Sequence, residues 1–189
     1  LGRTRHLSKD QGRELIQELQ QVPHLMESYL ENVGPIDEAV ELVSSASSVL
    51  YLGRGLSAPV AKEGALKLME LAYIPCLAYP AGEMKHGPMA LLEEGSPVVV
   101  VAPNDHLKEK TLSAIHECKA RGAKIILIHE QGDEIAEEAH VSIPVPKVHP
   151  LLTPLLTVLP LQLMAYRTAV LLGKDVDRPR NLAKSVTVE

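Results

Sequence analysis

Pro97-Val-Val-Val-Val-Ala102 and Lys124-Ile-Ile-Leu-Ile128, joined through a helix-forming stretch from about Leu107 to Arg121 that Gly122 closes, decide the fold. Neither apolar run alternates with polar residues, so each strand must be covered on both faces. Continuous β-branched runs separated by helices make a parallel sheet. The same unit stands upstream: Val49-Leu-Tyr-Leu52 ends in Gly53, helical periodicity runs from Pro59 to Tyr73, and Cys76-Leu-Ala-Tyr79 follows. Downstream come a short strand at Val141-Ser-Ile143 and a long helix from about Leu151 to Leu172, ended by Gly173. The expectation is an α/β domain: a doubly wound parallel sheet of about five strands flanked by helices, with a helical N-terminal arm and a C-terminal tail.

In the arm, residues 9–31, Leu15, Leu19, Val22 and Met26 recur at spacings of three and four, with Pro23 marking a break; Pro35 starts a second helix to about Ala46. The chain thus divides into an arm and linker over 1–34, a domain over 35–173 and a tail over 174–189. No internal repeat is present.

The composition narrows the function. With 46% hydrophobic and 23% charged residues over 189 positions, the chain has a globular balance and room for one real core. A formal charge of −5 and five Tyr as the only aromatics offer neither a basic field for a phosphate backbone nor stacking platforms, so nucleic acid is not an expected partner. Cys76 and Cys118 stand 42 positions apart without ligand-like spacing, which supports neither a disulfide framework nor a metal site and fits a reducing cytoplasm. The start, Leu1-Gly-Arg-Thr-Arg-His6, carries no apolar signal core and no initiating methionine, which points to a fragment of a longer protein. The 19 residues from Val148 to Tyr166 hold no formal charge with His149 neutral, a length that could span a bilayer. Pro150, Pro154, Pro160 and Gln162 interrupt them, so a buried helix is expected and no membrane partner.

In open parallel sheets ligands gather at the carboxyl ends of strands, so the loops after Leu52, Tyr79 and Ala102 draw attention. Gly53-Arg-Gly-Leu-Ser-Ala58 matches G-x-G-x-x-A, the dinucleotide pattern. The next strand ends in Tyr79 and Pro80, without the acidic residue that a nicotinamide site wants, so no cofactor is expected. A tight turn with Ser57 near a helix cap, or a small anion at that helix start, are the readings left open.

On the Pro59–Tyr73 helix, Glu63, Lys67 and Glu70 fall within an arc of about 60° at 100° per residue. Apolar residues flank this stripe on both sides. It reads either as an exposed salt-bridged face, with Glu63 and Lys67 paired at i, i+4, or as charges facing a pocket. Gly82-Glu-Met-Lys-His-Gly-Pro88 precedes a short helix that Pro88 can start, which puts His86 just ahead of a helix amino end, where the dipole disfavours protonation. It reads as an acid or base, or as an inert loop histidine.

Gly53-Arg-Gly55, Glu63-Gly-Ala-Leu-Lys-Leu-Met-Glu70, Ala81-Gly-Glu-Met-Lys-His-Gly-Pro88 and Arg178-Pro-Arg-Asn-Leu-Ala-Lys-Ser-Val-Thr-Val-Glu189 together resemble the glutamine:fructose-6-phosphate amidotransferases. The resemblance covers essentially the whole chain and corresponds to the second of that family's two sugar isomerase (SIS) subdomains. It implies the conversion of fructose 6-phosphate and glutamine to glucosamine 6-phosphate and glutamate. It also implies residue roles: Glu70 moves a proton between C1 and C2, Lys184 forms a Schiff base at the sugar C2, and His86 opens the ring in the partner subunit's site of a homodimer. Glu63, Lys67 and Ala183 become substrate-binding neighbours.

Two departures stand out. The family's glutaminase and first SIS subdomain are missing here, and Leu56-Ser-Ala58 is not the Ser/Thr-rich cluster that grips the sugar phosphate in that first subdomain. The other function class for such a fold is a phosphosugar-binding regulatory module. It would need no Glu70, His86 or Lys184, and would be attached to a basic helix-turn-helix, which this sequence lacks.

Overall fold

All strand pairings in the sheet are parallel, and the order is β2-β1-β3-β4-β5. The computed structural model describes residues 6–182. The strands are β1 (Val49–Gly53), β2 (Cys76–Pro80), β3 (Pro97–Val101), β4 (Lys124–Glu130) and β5 (Val141–Val145). The helices are α1 (Lys9–Glu31), α2 (Ile36–Ser44), α3 (Ser57–Ala72), α4 (Lys108–Lys119) and α5 (Thr153–Leu171). The expected doubly wound α/β architecture is what forms.

Side chains alternate along each strand, and in the three central strands β1, β3 and β4 both sets are buried. Tyr51, Val99, Val101, Ile126 and Ile128 enter a core shared with α2, α3 and α5. Leu52, Val98, Val100, Ile125 and Leu127 enter a second core, on the α4 side, with Ala114, Ile115 and Cys118. That double burial is why the strands carry unbroken Val and Ile runs.

The helix α3 lies against β1 and β2 and packs closely on α5. Its buried face is small: Ala61, Gly64, Ala65 and Leu68. At Gly64 an added Cβ would stand 2.7 Å from Leu161 Cδ1 and 3.0 Å from Leu161 Cβ, so hydrogen alone admits α5 at this distance. The helix α5 is long and apolar enough to cross a bilayer, but Leu156, Leu161, Met164, Ala165 and Ala169 are wholly buried in the core, as expected of a core helix.

Pro23 does not break the arm, which is one continuous helix from Lys9 to Glu31. A proline inside a helix removes one hydrogen bond at a cost of about 3 kcal/mol. Val22 and Tyr29, on either side of it, are buried in the main core, and a capping box between Ser8 and Gln11 secures the helix start. His149 N–H donates to a Glu18 carboxylate oxygen at 2.6 Å, tying the arm to the loop before α5. A second difference lies after β2. No regular helix begins at Pro88; two short 3₁₀ turns, Ala81–His86 and Pro88–Leu91, meet at Gly87, whose φ of 137° only glycine adopts readily.

The α3–α5 contact predicts that Gly64→Val lowers unfolding stability by about 2 kcal/mol through overpacking. Denaturant titration of Gly64→Val, Leu161→Ala and the double variant should give a double-variant loss at least about 1 kcal/mol smaller than the sum, because the truncated leucine vacates the space the valine needs. Strict additivity would rule the contact out.

Candidate active site

The helix α3 starts at the carboxyl end of β1 and runs back to feed β2 through Tyr73, Ile74 and Pro75. Val49, the first residue of β1, donates its N–H to Pro75 O at 3.0 Å, so the last turn of α3 lies at the amino ends of the strands. Glu70 is 13 residues into the helix, about 20 Å from its start at 1.5 Å per residue. The stripe therefore stands at the opposite edge of the sheet from the loops where ligands gather in this kind of fold.

Glu63, Lys67 and Glu70 form one linked group. Lys67 Nζ lies 2.6 Å from Glu70 Oε1 and 3.5 Å from Glu63 Oε1. The i, i+4 pair expected between Glu63 and Lys67 exists, but the short, hydrogen-bonded contact is the i, i+3 one to Glu70. The hydrogen bond to Glu70 raises the Lys67 pKa above its ordinary value; burial opposes it, and the charges of Glu70 and then Glu63 add to it. All three side chains are partly exposed, between 24% and 38%. Beyond Glu63, the outer side of α3 carries exposed Leu66 and Met69, which with Leu77 of the edge strand β2 wall an apolar groove of about 420 Å³.

Tyr73 caps α3 in the left-handed conformation, at φ 61°. Its ring lies beneath the Arg180 guanidinium, 4.2 Å from ring centroid to Cζ, and Lys174 Nζ is 5.7 Å away. The Arg180 N–H donates to the Tyr73 hydroxyl at 2.8 Å. Because α5 ends on the same edge of the sheet as α3, the tail starts beside the Glu70 end and docks there. In the sequence Tyr73 stands out only as the end of the helical periodicity. The signal available was its i+3 position from Glu70 together with two cations, Lys174 and Arg180, in the tail.

His86 is elsewhere. It follows the carboxyl end of β2, a strand of five residues that spans about 17 Å. Met84 of the same turn is buried in the α4-side core, and Lys85 Nζ pairs with Glu117 of α4 at 2.8 Å. His86 is thus at the other end of the sheet from Glu70 and on its other face. Among the described residues its one ionic neighbour is Glu83, at 4.0 Å, and its side chain is 72% exposed. The helix-dipole argument for His86 does not hold, since the four residues after Gly87 form only one 3₁₀ turn and build no macrodipole of consequence. Ala183 and Lys184 lie outside the described residues.

The strand order reverses between β1 and β3, and a cavity of about 360 Å³ opens there. Gly53 and Gly55 serve the turn: a Cβ at Gly53 would collide with Ser57 O, and Gly55 has φ 56°. The cavity is walled by Leu56, Leu107 and Leu151 and includes Asp105 and Glu130. Glu130 is 5% exposed, and burial raises its pKa. The one hydroxyl on the wall, Thr153 Oγ1, already donates to Pro150 O at 3.0 Å. Asn104 and His106 also line it, but no Lys or Arg does, and beside two carboxylates that is poor chemistry for gripping a phosphate, which wants positive charge. Cys118 is buried and Cys76 half-buried, and desolvation pushes both thiols up, Cys76 to about 12 and Cys118 to about 11, so neither is a ready nucleophile.

The parallel 2-1-3-4-5 sheet and its flanking helices define a flavodoxin-like domain, and the SIS domain family model matches residues 42–172. The chain belongs to the SIS domain family. It is 54% identical over 184 residues to the glutamine-fructose-6-phosphate aminotransferase (isomerizing) of Thermus thermophilus, and 48% identical over 186 residues to that of Agrobacterium fabrum. Each match covers 97% of this chain, which spans 30% and 31% of the length of those two proteins. Among solved structures, the C-terminal domain of the glucosamine-fructose-6-phosphate aminotransferase of Francisella tularensis superposes with a TM-score of 0.84 at 39% identity, over 91% of this chain and 49% of that one. The chain is homologous to the C-terminal isomerase region of these aminotransferases.

The geometry of the stripe predicts an order of effects on Lys67. Because its folded pKa is raised, the stabilisation it provides is complete below the ordinary lysine value and is lost only as pH climbs through the raised one, so it is constant at neutral pH. Glu70→Gln should lower the Lys67 pKa more than Glu63→Gln does, read from the pH titration of the Lys67 Cε signal by NMR. A larger drop with Glu63→Gln would reverse the assignment.

Proposed function

We propose that this chain is the C-terminal isomerase part of a glutamine-fructose-6-phosphate aminotransferase, converting fructose 6-phosphate and glutamine-derived ammonia to glucosamine 6-phosphate. The observation that carries the reading is the 54% identity to such an enzyme across 97% of the chain, which takes in both the Glu70 helix and the tail.

In this reading Glu70 is the carboxylate that takes a proton from C1 and returns one to C2 of the open-chain fructosimine. One carboxylate can reach both carbons, and no second base is required. Lys67 holds Glu70 Oε1 at 2.6 Å, while Oε2 makes no hydrogen bond among the described residues, so the group is oriented and still has an oxygen to offer. Glu63 steadies Lys67 from the preceding turn. Lys184 condenses with the C2 carbonyl with loss of water, and ammonia then displaces the lysine amine from that imine to give the fructosimine; Ala183 is its neighbour in the tail. Its tail is tethered at Tyr73, three residues after Glu70, and the four residues from Arg180 to Lys184 reach at most about 14 Å when extended.

His86 acts as the ring-opening acid or base in a second copy's site. Its separation from Glu70 within one chain, at the other end and on the other face of the sheet, supports a homodimer in which each copy lends its histidine. The phosphate grip and the ammonia supply come from the regions that the relatives have beyond the span matched here; the cavity between β1 and β3, lined by two carboxylates and no Lys or Arg, supports that division. Two free cysteines agree with the reducing cytoplasm to which this reading assigns the protein.

Two outcomes are expected in the full-length enzyme. Glu70→Gln should abolish exchange of the C1 proton with solvent while fructose 6-phosphate still binds; exchange at the wild-type rate would reject the role of Glu70. Mixing His86→Ala and Glu70→Gln subunits should regain activity, since one of the two sites in each heterodimer keeps both groups. Inactive heterodimers, with their formation verified, would count against the shared site.

A further inference from the structure

The end of α3 carries a residue that helix geometry alone does not call for. The left-handed position after a helix is usually taken by glycine or asparagine, because a Cβ crowds the following carbonyl there, and more so for a bulky residue. Tyr73 occupies it at φ 61° and ψ 27°. Its N–H completes the helix by donating to Met69 O at 3.1 Å, which any residue but proline could do.

What the phenol adds is a grip on the tail. The ring faces the Arg180 guanidinium at 4.2 Å, within the range in which a cation is drawn to an aromatic face. Its hydroxyl accepts the Arg180 N–H at 2.8 Å, so the backbone and the side chain of one residue are both held. Lys174, at 5.7 Å from the same ring, adds a second cation from the start of the tail.

The tail is prefolded to meet this grip. Asp175 Oδ1 accepts from the N–H groups of Asp177 and Arg178 at 3.0 and 3.1 Å, which bends the chain after α5. Pro179 to Leu182 then form a reverse turn: Leu182 N–H approaches Pro179 O at 3.4 Å, with Asn181 left-handed at φ 61° in its third position. Arg180, in the second position of that turn, is the residue clamped.

We propose that Tyr73 is a positioning residue that clamps the C-terminal tail to the end of α3, so that Lys184 works beside Glu70. This rests on the roles given above to Glu70 and Lys184. Tyr73 touches no reacting atom; it acts through Arg180. Losing the clamp lets the tail move by ångströms, and misplacement of about 1 Å can cost about 100-fold in rate.

The test uses the full-length enzyme with Tyr73→Asn, which keeps a residue tolerant of the left-handed cap but removes the ring, and Tyr73→Phe, which removes only the acceptor. In Tyr73→Asn, amide hydrogen exchange within residues 174–182 should rise at least about tenfold without a change in exchange of the β1 and β3 amides. Its kcat for synthesis should fall on the order of 100-fold with KM for fructose 6-phosphate within about threefold, and the borohydride-trapped sugar adduct on Lys184 should form correspondingly more slowly. Tyr73→Phe should lie between, closer to the wild type. Unchanged tail exchange in Tyr73→Asn overturns the clamp, and so does a variant whose loss is all in KM. An adduct that forms on Lys184 in the wild type and undiminished in Tyr73→Asn rejects Tyr73 alone. A wild-type enzyme that forms no adduct on Lys184 rejects the role of Lys184 itself, and with it what the clamp is proposed to position.

Discussion

A parallel sheet whose three central strands are buried on both faces constrains everything else in this domain. Every crossover must return the chain to the amino edge before the next strand begins, so α3 and α4 run against the strands; α5, after the last strand, starts at the switch-point cavity and ends near Tyr73, and so runs the same way. Their starts gather at one edge of the sheet and their ends at the other. The candidate residues consequently divide between two edges. The glycine turn after β1, the cavity between β1 and β3 and the His86 turn share the carboxyl edge. Glu70, Tyr73 and the docked tail share the amino edge, where α3 and α5 finish together.

The contact between α3 and α5 makes that second edge possible. Two helices covering adjacent strands meet closely only if the residues between them are small, and Gly64 supplies the closest point, against Leu161. The face of α3 turned away from that contact is then available for charge. Lys67, bound by carboxylates at 2.6 and 3.5 Å, is held as a cation next to a carboxylate of fixed orientation. Such a cluster on a surface helix would be worth little to stability. Its geometry matters instead because the tail is fastened one turn further along the same helix.

The other edge is informative for what it does not offer. The switch-point cavity lies where a flavodoxin-like domain ordinarily takes its ligand. In this chain it is lined by leucines with Asn104, His106, Asp105 and a buried Glu130, it has no Lys or Arg, and its one hydroxyl is already engaged. The exposed apolar rim along α3 and the edge strand β2, with Leu66, Met69 and Leu77, borders Glu63 on the same side.

Much of the fold was legible in the residue order. The unbroken Val and Ile runs at 97–101 and 124–128 required strands covered on both faces, and so a parallel sheet with helical crossovers; the 100° spacing of Glu63, Lys67 and Glu70 required them to share a helix face. Periodicity is a local property and reads as such. It could not tell that Pro23 would sit inside a continuous α1, because burial of Val22 and Tyr29 in a distant core offsets the missing hydrogen bond. It could not tell that the residues after Gly87 would stop at one 3₁₀ turn, which removes the dipole argued for His86. Nor could it show that Lys67 would close on Glu70 more tightly than on Glu63, a matter of side-chain torsions on one helix. The sequence by itself determined the sheet, the stripe and the resemblance of the tail. Only the tertiary structure decided that His86 and Glu70 lie at opposite edges and that Arg180 meets Tyr73 across 107 positions, because such distances follow from how helices pack back across a sheet, and no spacing along the chain encodes them.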